Sequence, residues 1–239
     1  MSTFIFMHVG ADLDTPQMMV DSIRLTNESP FIIQCSDLNT KKVAGVNEVF
    51  RLPVDISKLM TARLELFQGL KLSEPAIYLD TDMLIVRSIP VENIIGERRL
   101  AVCRRVFDRQ TPFNQEMRGQ VFDEYASLPL GAVFPFLACT TITKDSSFWF
   151  MCNRVLDFLD PKYKTWYGDQ EAIKHVVHQH GPHDIGFLPE DVFACLPEYT
   201  GSVRSEHRIL HFKGHHRKPS MIKAFGAMRD AWSSIRVNN

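Results

Sequence analysis

The chain alternates short apolar runs with longer segments in which apolar residues recur every three or four positions. A continuous apolar run of four to eight residues is typical of a buried strand, whereas the 3.6-residue period is typical of an amphipathic helix. The apolar runs predict strands in TFIFMHVG, FIIQCS, NEVFRLP, AIYLD, LAVCRR, VFPFLACTTIT, DIGFLP and RILHF.

Helical periodicity predicts the segments between these strands. The predicted helices are TPQMMVDSIRLT, DISKLMTARLELFQGLKL, NQEMRGQVFDEYASL, DSSFWFMCNRVLDFL, GDQEAIKHVVHQH and a final helix over 219–236. In the first, Thr15 is a plausible N-cap with Pro16 at the first helical position. Alternating strands and helices predict an α/β fold with a mostly parallel central sheet flanked by helices. No linker rich in Gly, Ser or Pro interrupts the chain, so we expect a single domain over 1–239.

Composition is that of an ordinary globular protein. The 239 residues carry a formal net charge of −1, which argues against a nucleic-acid or membrane partner recruited by bulk charge. The five cysteines are odd in number and lack CxxC spacing, so we expect buried free thiols in a reducing cytosol. The N-terminal residues lack the basic region of a signal peptide. We therefore expect a soluble, cytoplasmic protein.

One uncharged stretch, residues 125–143, approaches the length of a membrane-spanning helix. Pro129, Gly131 and Pro135 interrupt it. A loop followed by a buried strand is therefore expected instead.

Candidate chemistry begins in AIYLDTDMLIV, residues 76–86, where Asp80 and Asp82 follow an apolar run. The two acids are either ordinary turn formers at the exposed end of a strand or a pair held together to bind a cation. Carboxylate oxygens suit Mg²⁺ or Mn²⁺. Ligands of open α/β sheets bind beyond the carboxyl ends of the strands, where this segment is predicted to lie.

Two other predicted strand ends carry polar groups, HVGAD after the first strand and HFKGHHRKP after the last. No GxGxxG or GxxxxGK occurs, which excludes the usual phosphate loops of nicotinamide enzymes and P-loop proteins. In the second segment His211 can complete an oxygen-rich metal site, and Gly214 allows close backbone approach. Arg217 and Lys218 can neutralise a pyrophosphate. The alternative is a solvated basic turn.

Two further positions are chemically notable. Asp169, in WYGDQEAI, is either a helix N-cap or, with Gln170, a polar group directed into a cleft. Arg63 falls on the apolar face of its predicted helix, between Met60 and Phe67. A guanidinium there is either a snorkelling side chain or one that is paired or directed into a cleft.

These segments, in this order, resemble the GT-A-fold (Rossmann-like) glycosyltransferases. The most similar type is family 8, which includes glycogenin and bacterial lipopolysaccharide galactosyl- and glucosyltransferases. YLDTDMLIVRSI is similar to its metal-binding D-x-D segment, GDQEAI to its D-Q helix start, and HFKGHHRKP to its C-terminal H-x-x-G-x-x-K-P segment. TARLEL and FLPEDVF match further family segments, so the resemblance covers roughly residues 4–220.

The resemblance implies metal-dependent transfer of a sugar, with retention, from a nucleotide-sugar donor, usually a UDP-sugar, to a glycan or lipid-linked glycan. It implies a Mn²⁺ (or Mg²⁺) ion held by Asp80, Asp82 and His211, with Asp169 and Gln170 near the reacting anomeric carbon. Acceptor recognition is expected in the loops over 105–135. The residues expected to bind the donor are Val9, Gly10, Asp12, Arg63, Thr81, Gly214, Arg217 and Lys218.

The chain also departs from the family pattern. PFLACTTIT lacks the usual asparagine and glycine of that strand, and three residues instead of two separate Gly214 from Lys218. A degenerate, non-catalytic protein that binds a sugar nucleotide or a partner enzyme is therefore an alternative. A haloacid-dehalogenase phosphatase is disfavoured because its D-x-D lies near the N-terminus. A nucleotidyltransferase is disfavoured because the loop after the first strand is not basic.

The final predicted helix carries one apolar stripe, formed by Met221, Phe225, Met228, Trp232 and Ile235. The stripe either packs on the sheet or, together with Lys223, Arg229 and Arg236, makes a peripheral contact with an anionic membrane.

Overall fold

The computed structural model of the protein describes residues 2–200 and 203–237. Its strands are β1 (Thr3–Met7), β2 (Phe31–Ser36), β3 (Glu48–Arg51), β4 (Ala76–Leu79), β5 (Met83–Ile85), β6 (Leu100–Arg104), β7 (Glu116–Met117), β8 (Gln120–Val121), β9 (Phe136–Thr143), β10 (Ile185–Leu188) and β11 (Ile209–His211). Its α-helices are α1 (Asp14–Thr26), α2 (Leu59–Gly69), α3 (Val91–Ile95), α4 (Leu130–Val133), α5 (Ser147–Phe158), α6 (Gly168–Gln179), α7 (Glu190–Phe193), α8 (Pro197–Thr200) and α9 (Lys218–Val237).

Seven strands form the central sheet, in the order β10, β6, β9, β4, β1, β2 and β3. β1 runs parallel to β2 and β4, β2 to β3, and β6 to β10. β9 is antiparallel to both of its neighbours, β4 and β6. The predicted α/β fold with a mostly parallel sheet is confirmed, and the ends of its parallel strands share one edge, where ligands bind in such folds.

The sheet buries both faces, because successive side chains of a strand point to opposite sides. On one face Phe4 packs in a cluster with Met19 of α1. On the other face Ile5 packs with Leu64 of α2 and Trp149 of α5. Burial on both faces explains why the strands are continuous apolar runs instead of alternating ones.

A second, two-stranded sheet pairs β5 with β11 in antiparallel orientation. Both strands are fully buried, and their side chains meet those of α9 in a cluster that includes Leu84, Leu210 and Met221. The sequence pattern did not separate β5 from β4, because the two lie in one apolar run broken by three residues. This small sheet brings the C-terminal part of the chain to the end of β4.

The predicted helix over 114–128 is wrong. That segment forms the β7–β8 hairpin, whose turn residues Arg118 and Gly119 have φ values of 51° and 74°. Positive φ at both turn residues is typical of a type I′ turn, which glycine favours. The segment's aromatic residues pack in a separate cluster with Phe113 and Tyr167, which explains the misleading apolar spacing.

The predicted N-cap at Thr15 is also wrong. α1 begins at Asp14, after Leu13, which makes no side-chain capping hydrogen bond. Pro16 is therefore the third helical residue, still within the first turn, where its missing N–H costs no intrahelical hydrogen bond.

The apolar stripe of the C-terminal helix faces the body of the protein at its first turns. Met221 is fully buried, and Phe225 packs against the same cluster as Leu84. The side chains of Ile235 and Arg236 lie outside the described residues. Within the described part of the chain, no helix combines the length and apolar character needed to cross a membrane. Packing on the domain accounts for the start of the stripe, and the peripheral membrane contact stays a prediction.

Gly168, the first residue of α6, provides a test of the packing. A Cβ there would lie 2.3 Å from the Tyr163 carbonyl oxygen and 2.7 Å from Leu156 Cδ1. We expect Gly168→Ala to lower the free energy of unfolding by about 3 kcal/mol, measured by urea denaturation, because overpacking forces the backbone apart. In the matched variant Gly226→Ala, the new Cβ meets no atom within 4 Å. We expect Gly226→Ala to raise the free energy of unfolding by no more than about 1 kcal/mol. Equal effects of the two substitutions would contradict the close packing at Gly168.

Candidate active site

Three potential metal ligands meet at the carboxyl edge of the central sheet. The side-chain ligand atoms of Asp80, Asp82 and His211 all lie within 4.8 Å of one another. Asp80 directly follows β4, Asp82 directly precedes β5, and His211 ends β11. The structure thus brings together the D-x-D acids and a histidine almost 130 positions later, as the sequence predicts.

Backbone pairing fixes the positions of these residues. The register of β5 and β11 places His211 opposite Met83, and the Phe212 N–H donates to the Asp82 carbonyl at 2.8 Å. On the other side, the Asp80 N–H donates to the Cys139 carbonyl of β9 at 3.0 Å. Each ligand is therefore held by main-chain hydrogen bonds close to its own Cα.

The cluster fits a hard divalent cation. His211 Nε2 lies 3.3 Å from Asp82 Oδ1, an oxygen that is buried and has no hydrogen-bond partner among the described residues. A buried carboxylate oxygen without a donor is costly unless a cation compensates it. Burial alone would raise the pKa of Asp82, but His211 brings it below its usual value, so Asp82 stays ionised. Carboxylates with one imidazole suit Mn²⁺ or Mg²⁺.

Arg63 of α2 connects the D-x-D segment to α6. Its Nη1 donates to Asp80 Oδ1 at 2.9 Å, and its Nε lies 3.4 Å from Asp169 Oδ2. Arg63 is 6% exposed and Asp169 1% exposed, so the guanidinium is not a snorkelling side chain. Of the two alternatives for Arg63, the structure shows the paired one, with a D-x-D acid as one partner. Its predicted contact with the donor stays a prediction.

Asp169 is the second residue of α6, not its N-cap. The residue before the helix is Tyr167, in a left-handed conformation with φ of 62°, and Asp169 Oδ1 accepts from the Gln170 N–H at 2.8 Å. Burial raises the pKa of Asp169, although the facing Arg63 partly opposes the rise. The helix N-terminus also favours the ionised carboxylate.

Arg105, which follows β6, was missed by the sequence reasoning. Its Nη2 donates to Gln170 Oε1 at 3.0 Å, its Nη1 to Asp108 Oδ1 at 2.7 Å, and its Nε to the Phe134 carbonyl at 2.8 Å. Arg105 thereby orients the Gln170 amide. Its one available signal was a pair of arginines directly after the apolar run LAVC, at a strand's carboxyl end.

Glu190, the first residue of α7, is a second missed residue. It is 2% exposed, and its carboxylate accepts from the Val106 and Phe107 N–H groups. Burial raises the pKa of Glu190, although those two backbone bonds partly oppose the rise. The residue lies in FLPEDVF, a segment that the resemblance had matched without assigning it a role.

These groups line a cleft of about 480 Å³. The sequence-predicted residues that line it are Arg63, Asp80, Asp82, Asp169, Gln170, His211 and Gly214. Arg105, Glu190, Lys213, Trp166 and Tyr167 contribute further walls. The cleft therefore contains the candidate metal site, the buried Asp169 carboxylate and the Gln170 amide that Arg105 orients.

The other predicted donor-binding residues do not line this cleft. Lys218 Nζ lies 2.8 Å from Asp12 Oδ2, which ties the start of α9 to the loop after β1. The Gly10 N–H donates to Thr40 Oγ1, and Arg217 pairs with Glu198 at 2.8 Å. Donor binding stays a prediction for all the residues outside the cleft, which are Val9, Gly10, Asp12, Thr81, Arg217 and Lys218.

Removing Arg63 should destabilise the protein in a pH-dependent way. We expect Arg63→Leu to lower the free energy of unfolding by about 3 kcal/mol near neutral pH, because Asp169 loses its buried partner. In the folded protein, the loss of Arg63 raises the pKa of Asp169 above its wild-type value. In the unfolded chain the two residues are apart, so the pKa of Asp169 does not change. The deficit should therefore shrink as the pH falls towards the ordinary carboxyl range, where protonated Asp169 needs no counter-charge.

Urea denaturation at several pH values measures this effect. Arg63→Leu combined with Asp169→Asn should recover part of the loss at neutral pH, whereas Arg154→Leu, on an exposed side chain of α5, should show no comparable deficit. A deficit that stays constant with pH would contradict the coupling between Arg63 and Asp169.

Comparisons with known proteins support the fold. A scan against protein-family models gives no match, and neither does a search of curated proteins. Among solved structures, an active-site mutant of LgtC has a TM-score of 0.58 at 12% sequence identity, covering 96% of this chain and 95% of that chain. The galactosyltransferase LgtC in complex with donor and acceptor sugar analogs has a TM-score of 0.58 at 14% identity, with the same coverage.

A third solved structure is that of the bifunctional glycosyltransferase WbbM. It has a TM-score of 0.57 at 12% identity and covers 90% of this chain but 46% of WbbM, so this chain spans about half of that protein's length. Three structures of glycosyltransferases thus share the sheet and helix arrangement described above. The protein has the GT-A fold.

Proposed function

We propose that this protein transfers a sugar from a nucleotide-sugar donor, a UDP-sugar in our assignment, to a hydroxyl of a glycan or lipid-linked glycan. The observation that carries the proposal is the convergence of Asp80, Asp82 and His211 beside Asp169 and Gln170, in one cleft at the carboxyl edge of a GT-A-fold sheet. The complex of LgtC with donor and acceptor sugar analogs supports nucleotide-sugar chemistry on this fold.

The donor diphosphate lies, in this proposal, against the D-x-D edge of the cleft. Asp80, Asp82 and His211 would hold Mn²⁺ or Mg²⁺, and the ion would supply positive charge near the departing nucleoside diphosphate, an effect typically worth several kcal/mol. Asp82 Oδ1 supports this role, because it is buried and accepts no hydrogen bond from the described residues. Thr81, which lies between the two acids in sequence, is assigned to donor binding.

The phosphates and nucleoside are assigned to groups around the cleft. Gly214 has φ of 92° and lines the cleft, where its lack of a side chain lets a phosphate approach the backbone. Arg217 and Lys218 bind the phosphates. To do so, Arg217 leaves the Glu198 carboxylate and Lys218 leaves the Asp12 carboxylate. Val9, Gly10 and Asp12 hold the nucleoside. Release of Asp12 from Lys218 would then accompany donor binding.

Asp169 and Gln170 act at the anomeric carbon. In the reaction the bond from the anomeric carbon to the diphosphate oxygen breaks, and its electron pair leaves with the diphosphate. The acceptor oxygen bonds to that carbon, and its proton passes to the departing diphosphate oxygen. A carboxylate and an amide oxygen nearby stabilise the cation-like anomeric centre. We propose retention of configuration. The LgtC active-site mutant exchanges a glutamine for glutamate, so another protein of this fold has a glutamine in its active site.

Metal-dependent donor binding is the first test. At 100 times its dissociation constant, a ligand specific for the native state adds about 2.7 kcal/mol of stability. We expect UDP with Mn²⁺ to raise the melting temperature of the wild-type protein, measured by differential scanning fluorimetry, more than either component alone. Asp82→Asn should abolish this joint shift, and His211→Ala should reduce it less.

Asp157→Asn is the matched control, because Asp157 is an exposed acid on α5. This variant should keep the full UDP–Mn²⁺ shift. An unchanged shift in Asp82→Asn would remove that residue from the metal site.

Turnover separates the enzyme from a non-catalytic protein of the same fold. We expect wild type with Mn²⁺ to hydrolyse one UDP-sugar slowly in the absence of acceptor, with release of UDP measured chromatographically. Gln170→Ala should lower this rate by about 100-fold while UDP–Mn²⁺ still binds, since a positioned polar group acts mainly on the transition state. Gln179→Ala, an exposed residue at the end of the same helix, should leave the rate unchanged. UDP–Mn²⁺ binding with no hydrolysis or transfer would favour the non-catalytic alternative.

A further inference from the structure

A second cavity, of about 500 Å³, lies against the candidate active site. Its volume falls within the range of about 300–1,000 Å³ found for small-molecule sites. The side chains of Arg104, Arg105 and Arg109 line it, together with Gln110 and the turn over 129–135. None of its lining residues within the described part of the chain is acidic. We refer to it as the arginine cavity.

Arg105 forms the wall shared with the active-site cleft, since it lines both cavities. Its own charge is balanced by Asp108, and two more of its N–H groups donate to Gln170 and to the Phe134 carbonyl. A ligand in the arginine cavity would therefore lie one side chain away from Gln170.

Arg104 and Arg109 carry the unbalanced charge of the cavity. Both are exposed, and neither makes an ion pair with an acid among the described residues. The Arg104 guanidinium lies 4.0 Å from the centre of the Phe187 ring. Stacking fixes the plane of the guanidinium but leaves its N–H edge free to bind an anion.

The backbone at Arg109 is held in place by the turn over 129–135, which also lines the cavity. The Gly131 N–H donates to the Arg109 carbonyl at 2.9 Å, and the Leu130 N–H donates to the Thr111 carbonyl at 2.7 Å. A Cβ at position 131 would lie 2.7 Å from Arg109 Cβ, so glycine is what permits this close approach. The cavity therefore has walls defined by backbone hydrogen bonds, not by a loose loop.

We propose that the arginine cavity binds a phosphate or carboxylate group of the acceptor saccharide, so that the acceptor is anionic. The assignment of this ligand as acceptor rests on the proposed glycosyl transfer; the anion site itself rests on the geometry above. Two guanidinium groups without acidic partners match planar carboxylates and phosphates, to which arginine donates paired hydrogen bonds. A neutral saccharide offers no charge complementary to these two guanidinium groups.

Direct binding tests the anion site without requiring turnover. Glucose 6-phosphate, glucuronate and neutral methyl glucoside are titrated calorimetrically into the wild type, into Arg104→Gln/Arg109→Gln, and into Arg154→Gln. Arg154 is a matched control, because it is also an exposed arginine near a phenylalanine ring, 5.7 Å from the centre of Phe158, and it does not line the cavity. We expect the wild type and the control to bind one anionic sugar at least about ten-fold more tightly than methyl glucoside, and the double variant to lose this preference.

A preference for glucose 6-phosphate alone identifies phosphate as the recognised group, and a preference for glucuronate alone identifies carboxylate. Equal affinity for charged and neutral sugars in wild type would overturn the proposal, as would a preference that survives in the folded double variant. Melting temperatures establish that each variant is folded. The same sugars are then offered as acceptors with the UDP-sugar, and transfer to neutral sugars alone would overturn the acceptor assignment.

The two proposals fail in different ways. If the wild type binds UDP–Mn²⁺ and hydrolyses the donor but shows no preference for anionic sugars, the anionic acceptor is rejected. The proposed glycosyl transfer is then unaffected. An anionic preference that depends on Arg104 and Arg109 in a protein without turnover would retain the anion site but reject its assignment to an acceptor.

Discussion

The candidate active site depends on one buried guanidinium. Arg63 touches Asp80 at the end of β4 and Asp169 in the first turn of α6. An unpaired charge in such a place is strongly destabilising, so each of these groups requires the others. This requirement couples the docking of α2 and α6 to the D-x-D end of the sheet. The residues proposed to act on the donor and at the anomeric carbon are therefore positioned by the same contact.

The second constraint comes from the small β5–β11 sheet. Its register places His211 opposite Met83 and ties Phe212 to the Asp82 carbonyl, which sets the imidazole beside the second acid. The buried cluster that holds this sheet also contains Met221 of α9. The C-terminal part of the chain thus contributes both a candidate metal ligand and the packing that keeps it in position, while Lys218 connects the same helix to the loop after β1.

Charge is distributed differently on the two sides of Arg105. In the active-site cleft, Arg63 faces the carboxylates of Asp80 and Asp169, and Asp80 also belongs to the candidate cation site with Asp82 and His211. In the arginine cavity, Arg104 and Arg109 have no such acidic partners among the described residues. One cavity is suited to a metal with its diphosphate and the other to an anion. Arg105, neutralised by Asp108, forms the partition and orients Gln170 on the cleft side.

The sequence alone predicted the α/β class, most strands and long helices, and the residue types of the candidate metal cluster, because periodicity and motif order are local properties of the chain. It singled out Arg63 as a charge on an apolar helical face, but the choice between a snorkelling and a paired side chain came from the structure. Local pattern failed over 114–128, where apolar spacing imitated a helix although Gly119 favours a turn. It gave no role to Arg105 or Glu190, whose partners lie 65 and 84 positions away in sequence. Only the tertiary structure decided which distant groups meet, because strand register and helix docking are set by packing over the whole domain.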